Sequence, residues 1–243
     1  MDMLLWNNIS DCVRIVSTTK KFYNQHLYKI VVYCPAARII LDKPRRGTLA
    51  DALARREQAL SKFMHYNTLR GGARQHISYA ALEQLKYFEH VKNSYSNTIR
   101  IRVEEPAISI YSNDESTLYQ IAQDSPFPDR IREIHRPNNL AAEQALNQGH
   151  ILIKKDTNFM FKVVLRESNN ADSANKQSLV DYLYNLSLDD EVSFSKSLIR
   201  NLNAKRTWFP GGYFYAKDEK ICTFINLICP GMLSGIFKLS KVE

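Results

Sequence analysis

Nine cations stand between Arg38 and Arg74: Arg38, Lys43, Arg45, Arg46, Arg55, Arg56, Lys62, Arg70 and Arg74, against Asp42, Asp51 and Glu57. Seven of the nine are arginine. A guanidinium meets phosphate or carboxylate through two parallel hydrogen bonds and stacks on flat rings, which an ammonium does not do. Backbone amides around Gly71-Gly72 offer further donors to an anion. This segment predicts phosphate binding. The blander alternative is a solvated helix flank in which Arg55 and Arg56 only interrupt an apolar stripe.

Single-stranded nucleic acid is held by stacking as well as charge. The chain has 13 Tyr, 11 Phe and 2 Trp. Tyr66 lies inside the basic segment near Arg70, and Trp208, Phe209, Tyr213, Phe214 and Tyr215 surround Pro210-Gly211-Gly212. Of these, Tyr66, Trp208, Phe209, Tyr213 and Tyr215 are the candidates for stacking or for an interface. Tyr28, Tyr33 and Tyr111 also fall in strand-like stretches, where a sheet can turn rings outward.

Other chemistries lack parts. His76, His135 and His150 are candidates for metal-independent acid–base cleavage of RNA, but no spacing joins them. Glu104 and Glu105 are adjacent, so on a strand they face opposite sides. A metal-dependent nuclease would place an acid where Leu152 stands in His150-Ile151-Leu152-Ile153-Lys154, and Asp218-Glu219-Lys220 sits in a turn-like setting. No phosphate-loop, nucleophile-elbow, H-E-x-x-H or dinucleotide fingerprint occurs. No catalytic residue, metal or cofactor is expected.

The elements that must position these residues follow from periodicity. Residues 27–41 read as a strand pair or as one strand with a bulge at Pro35, and 48–67 as a basic amphipathic helix with Leu49, Leu53, Leu60, Phe63 and Met64 on one face. A second helix is predicted from Ser78 to Val91. Ile99, Ile101 and Val103 alternate with Arg100, Arg102 and Glu104, and Ile108 and Ile110 continue in a second strand. Asn113-Asp114 caps a helix at 115–123, Ile131 and Ile134 mark a strand, and a helix at 140–147 ends at Gly149. The segments 150–155 and 159–167 are predicted to pair as a hairpin. Beyond a linker at 168–177, helices are expected at 178–188 and 194–203, with strands at 213–216, 221–228 and 236–239.

These elements predict an α+β fold, a mixed or antiparallel sheet with helices on one face, with a ferredoxin-like sandwich as one form, preceded by a basic helical segment. Three parts are expected: a basic N-terminal segment at 1–97, a β-α-β-α-β-β core at 98–167, and a C-terminal segment at 178–243 packing on that core.

Composition bounds the rest. At 243 residues, 44% hydrophobic and 24% charged, the chain can bury a substantial core. Its eight glycines leave little for phosphate-wrapping loops. The net charge is +8, unevenly spread: residues 1–100 hold 16 Lys+Arg against 7 Asp+Glu, while 101–200 hold 11 against 15. That split predicts one basic face and polyanionic partners. Cys12, Cys34, Cys222 and Cys229 form no C-x-x-C pair and read as reduced core residues. The N-terminus lacks a basic leader and no apolar run suits a membrane span, so a cytoplasmic protein without membrane contact is expected.

Three functions fit. The first is non-catalytic binding of nucleic acid, RNA or single strands. Second is a structural or assembly subunit of a large particle, even a viral one, whose basic face docks an acidic protein or another copy as a homo-oligomer. The third is a small ribonuclease.

Overall fold

The period-two alternation at 99–104 is realised in full: Ile99, Ile101 and Val103 are half-buried, while Arg100, Arg102 and Glu104 are exposed. The computed structural model describes residues 6, 8–10, 13–37, 49–61, 79–104, 106–169 and 172–241. The chain divides into two compact units, residues 1–138 and 139–243.

In the first unit, strands β1 (Arg14–Ser17), β2 (Tyr28–Tyr33), β3 (Ile99–Glu104), β4 (Ala107–Ser112) and β5 (Ile131–Arg136) form one sheet, ordered β1-β5-β2-β4-β3. Only the β1–β5 pair is parallel; its three other neighbours pair antiparallel. Helices α1 (Leu49–Ser61), α2 (Tyr79–Ser94) and α3 (Glu115–Gln123) complete the unit. Register separates two faces of the sheet. Ile30 pairs with Ile110 and Ile134, and Val32 with Ile108 and Ile131, so one face is a continuous apolar layer. All six residues are essentially inaccessible to solvent, as are Leu82, Leu85, Phe88 and Val91 of α2 and Leu118 and Ile121 of α3. Burial of this size, at roughly 1.5–3 kcal/mol per large apolar side chain, is what holds the unit together.

Polar anchors fix the helices. Asp114 accepts from the Ser116 and Thr117 amides, closing the start of α3. Gln84, fully buried on α2, donates to the Tyr33 carbonyl at 2.8 Å and accepts from Arg130 at 2.6 Å. The Tyr87 hydroxyl donates to the Ile121 carbonyl, joining α2 to α3.

The second unit has its own five-stranded sheet, ordered β6-β10-β7-β9-β8, from β6 (Ile151–Ile153), β7 (Phe161–Leu165), β8 (Val192–Phe194), β9 (Gly212–Ala216) and β10 (Leu233–Lys241). Its helices are α4 (Leu140–Asn147), α5 (Ser173–Leu188), α6 (Lys196–Leu202) and α7 (Lys220–Ile228). Val163, Leu165 and Phe214 pack with Leu179, Leu183, Leu198, Ile225 and their neighbours into one core. Lys176 is buried here, its ammonium donating to the Ala204 and Arg206 carbonyls at 2.7 and 2.9 Å.

The α+β class is therefore as the periodicity predicts, with seven helices and two mixed sheets among the described residues. Each sheet has five strands and one parallel pair, unlike the four antiparallel strands of a ferredoxin-like sandwich. Three local expectations are corrected. Segments 150–155 and 159–167 do not pair with each other: β10 lies between β6 and β7, parallel to the first and antiparallel to the second. The connection between them, residues 154–160, is too long to force a tight hairpin. Residues 221–228 form a helix, because Ile221, Cys222 and Ile225 meet the core at helical spacing and burial overrides their β-branched preference. Helix α5 begins inside the expected linker, capped by Asp172 and anchored by Lys176. The division into units also falls between β5 and α4, because β3 and β4 complete the sheet that β1 and β2 begin.

Candidate nucleic-acid interface

On the face of the first sheet opposite the apolar layer, β2 places Lys29, Val31 and Tyr33 by the same alternation that buries Ile30 and Val32. One row across the strands runs Val16, His135, Lys29, Tyr111, Arg100. The next runs Arg14, Glu133, Val31, Ser109, Arg102. At the bulge between Val31 and Val32, the Arg132 guanidinium lies 5.5 Å from the Tyr33 ring. Arg14, Lys29, Arg100, Arg102 and Arg132 thus share this face with Glu104 and Glu133, an excess of positive charge.

Residues 18–27, between β1 and β2, fold back over the middle of the face. Phe22 and His26 exchange backbone hydrogen bonds, and Gln25 N–H returns to the Phe22 carbonyl at 3.0 Å. Tyr23 and Asn24 take left-handed backbone at φ 54° and 57°, the two central positions of a mirror-image turn. The turn delivers Phe22 and Tyr23 onto Tyr111, with ring centroids 5.4 and 5.1 Å away. Phe22 also meets His135 edge-on, and Lys29 lies 5.5 Å from the Phe22 ring. Arg100 stacks on Tyr23 at 3.9 Å while Arg102 donates to the Tyr23 hydroxyl at 2.9 Å. The result is a cationic sheet face with an aromatic cluster at its centre.

Charge sets the protonation of its members. Burial opposes ionisation of the Tyr23 hydroxyl, yet its hydrogen bonds and the adjacent arginine charges hold it below the ordinary phenol value. Burial, then the bond with Tyr23, pushes Tyr111 up to about 12. Burial and the charge of Lys29 depress His135 despite its contact with Glu133 at 2.8 Å. Glu133 itself is held down, against burial, by His135 and Arg14.

Of the residues singled out from the sequence, Arg38, Lys43, Arg45, Arg46, Lys62, Tyr66, Arg70 and Arg74 lie outside the described residues, as do His76 and Cys12. Arg55 is exposed on α1, and Arg56 is on the same helix. In the second unit, Phe209 is fully buried in the core and presents no ring to solvent. Trp208 is exposed; its indole donates to Glu167 at 3.0 Å and Arg206 stacks on it at 4.7 Å. Tyr213 is exposed beneath Lys162 at 4.0 Å and meets Tyr215 edge-on. These rings point away from the side that buries Phe214, so β9 does turn tyrosines outward.

His135 contacts Glu133, whereas His150, in the other unit, bonds Ser240 at 2.7 Å. Cys34, Cys222 and Cys229 are free and buried, and burial pushes each thiol up to about 11. No group of three or more His, Cys, Asp or Glu side chains among the described residues is arranged to hold a metal ion. No described helix is long and apolar enough to cross a membrane. A cleft of about 290 Å³ lined by Lys92, Asn93, Ser96, Ile99 and Ile101 carries one charged group and no acid–base pair.

The positions sequence reasoning missed are Phe22, Tyr23, Lys29, Arg100 and Arg102. Their signal was the alternating cations of β3 and the Lys29–Val31–Tyr33 phase of β2, which periodicity assigns to the solvent side without showing that they share a sheet. Comparison with protein-family models, curated proteins and solved structures finds no match to this chain.

Proposed function

We propose that this protein binds nucleic acid without catalysis, engaging single strands across the exposed face of the first sheet. The observation that carries the reading is the union of Lys29, Arg100 and Arg102 with the exposed Tyr23, which packs on the buried Tyr111, on one surface. Guanidinium and ammonium groups neutralise phosphates, and π-faces accept bases without demanding a sequence. Exposed Arg55 on α1, with the arginines that precede and follow it in sequence, extends the basic character of the first 100 residues. The free, buried thiols support a reducing compartment, hence a cytoplasmic site of action.

The test is fluorescence anisotropy with labelled single-stranded RNA, single-stranded DNA and duplex at two salt concentrations. Binding to single strands that weakens steeply with salt is expected, and it should be lost on changing Lys29, Arg100 and Arg102 together to Gln. A second variant, Arg45, Arg46, Arg55 and Arg56 to Gln, measures the share of the sequence-predicted segment. Absence of binding at low salt would overturn the reading.

A second reading, an assembly subunit, draws on exposed apolar side chains of the second unit. Phe224 and Leu227 are 56% and 73% exposed on α7, and Leu188 is 84% exposed at the end of α5. Large apolar groups left in water favour a protein partner. Sedimentation of the chain and of a Phe224→Ser, Leu227→Ser variant decides it: an oligomer that this variant dissociates is the expected result on that reading.

A further inference from the structure

Tyr23 occupies a slot whose walls are chosen for a flat ring bearing an oxygen. Arg100 covers one face of the ring with its guanidinium carbon 3.9 Å from the centroid. Tyr111 closes the slot edge-on at 5.1 Å, and Arg102 donates to the hydroxyl at 2.9 Å. Tyr23 as a residue remains 37% exposed, so the slot is open to solvent.

The segment that inserts the ring is not at ease. Tyr23 and Asn24 both have positive φ, which asparagine tolerates and tyrosine rarely adopts. Contact with the two arginines compensates that conformation. The Gln25 and His26 amides, both bound to the Phe22 carbonyl, keep the turn closed, so the ring leaves the slot by swinging about its own side-chain bonds. Both arginines sit on β3, an edge strand of a five-stranded sheet, so the slot walls persist when the ring swings out.

We propose that this slot is the seat of a nucleobase carrying an exocyclic carbonyl oxygen, and that Tyr23 fills it as an internal stand-in until a strand displaces it. The inference rests on the nucleic-acid reading above. Stacking on Arg100 is available to any base. The bond from Arg102 demands an acceptor where the tyrosine oxygen now lies, and an exocyclic carbonyl supplies one. Adenine alone among the four common bases has no such oxygen, so uridine-rich strands are preferred over adenosine-rich ones. A stand-in lowers the apparent affinity by the fraction of molecules whose slot is open, and removing it restores the intrinsic value.

The experiment compares wild type, Tyr23→Gly and Tyr23→Phe in anisotropy titrations with labelled 12-mers of uridine and of adenosine. Glycine accepts the left-handed backbone without strain, and phenylalanine keeps the ring while losing the hydroxyl, so one variant tests the plug and the other its anchor. Circular dichroism establishes that each is folded. Tyr23→Gly is expected to bind the uridine strand about tenfold more tightly than wild type, the gain when a slot open in roughly one molecule in ten is freed. Tyr23→Phe should gain less, and the adenosine strand should gain little with either variant. If wild type binds but Tyr23→Gly binds equally or more weakly, Tyr23 is a stacking contact or a bystander, and the stand-in is overturned while the nucleic-acid reading survives. An equal gain on both strands overturns the carbonyl preference. Failure of all three proteins to bind either strand removes the nucleic-acid reading and the slot with it.

Discussion

The Arg136 guanidinium lies 3.1 Å from the Glu115 carboxylate, both side chains largely withdrawn from water. The same carboxylate oxygen accepts from the Trp6 indole at 2.9 Å, and Trp6 is fully buried. One carboxylate at the start of α3 therefore ties the N-terminal segment to the last strand of the first sheet. Truncating one member of a buried pair strands the other's charge in a poor solvent, at about 3–5 kcal/mol. Glu115→Ala is expected to lose stability in that range. The double variant Glu115→Gln, Arg136→Met should lose less than Glu115→Ala, because neither remaining group is charged. Urea unfolding followed by tryptophan fluorescence measures both, and a Glu115→Ala midpoint equal to wild type would contradict the pairing's role.

Asp114 carries a pH dependence whose direction is fixed by its contacts. Hydrogen bonds from Thr117 and Ser116 outweigh burial and hold its carboxyl below the ordinary 3.8. A carboxyl depressed by folding stabilises the native state above its unfolded value, and that contribution disappears as pH falls through the lower folded value. Asp114→Ala should cost about 1 kcal/mol at neutral pH, as loss of a helix N-cap does. The difference from wild type should shrink below pH 4. Thermal melts at pH 7 and at pH 3 check both the sign and the window; a gap that widens in acid would contradict the assignment.

How far the fold was legible depended on whether a residue's environment was local. The alternation of β3 and the Asp114 cap are local, and the structure keeps both of them; β4 forms where expected but is buried on both faces. Strand order is not local. Nothing in residues 151–165 announces that β10 will insert between two neighbouring strands, and Ile221–Ile228 reads equally well as strand or helix until its burial partners are known. The candidate site shows the same divide. Runs of arginine draw attention along the chain, whereas Lys29, Tyr111 and Arg100 are far apart in sequence and become neighbours only through antiparallel register.

Pro210-Gly211-Gly212 drew notice for its aromatic company, and the structure gives its middle residue a backbone role. Gly211 has φ 75°, and a Cβ there would come within 2.9 Å of the Leu165 carbonyl oxygen. Gly149 has a similar φ of 83°, yet nothing lies within 4 Å of its Cβ position. Both alanine variants meet the left-handed penalty of roughly 1–2 kcal/mol, but only Gly211→Ala also forces β7 backbone to move. Gly211→Ala should therefore be the more destabilised of the two in urea melts. Equal losses would mean that the close approach to β7 relaxes freely.

The salt dependence of binding separates charge from stacking on the proposed face. Each phosphate neutralised on a single strand contributes about 0.7 to the slope of log affinity against log salt. Arg100 stacks on an aromatic ring and Arg102 bonds a hydroxyl, so in the strand-free protein both are engaged with Tyr23. If they serve base contacts once Tyr23 leaves, changing either to Gln lowers affinity while moving the slope by less than about 0.7. Lys29 sits 5.5 Å from the Phe22 ring centroid and 6.0 Å from that of Tyr111, where its ammonium is a point charge available to a phosphate. Lys29→Gln should therefore reduce the slope by about 0.7. A salt titration of the three single variants on the uridine 12-mer decides between these roles. A slope lost at Arg100 and Arg102 but kept at Lys29 would reverse the assignment, placing the arginines on phosphate and the bases elsewhere on the face.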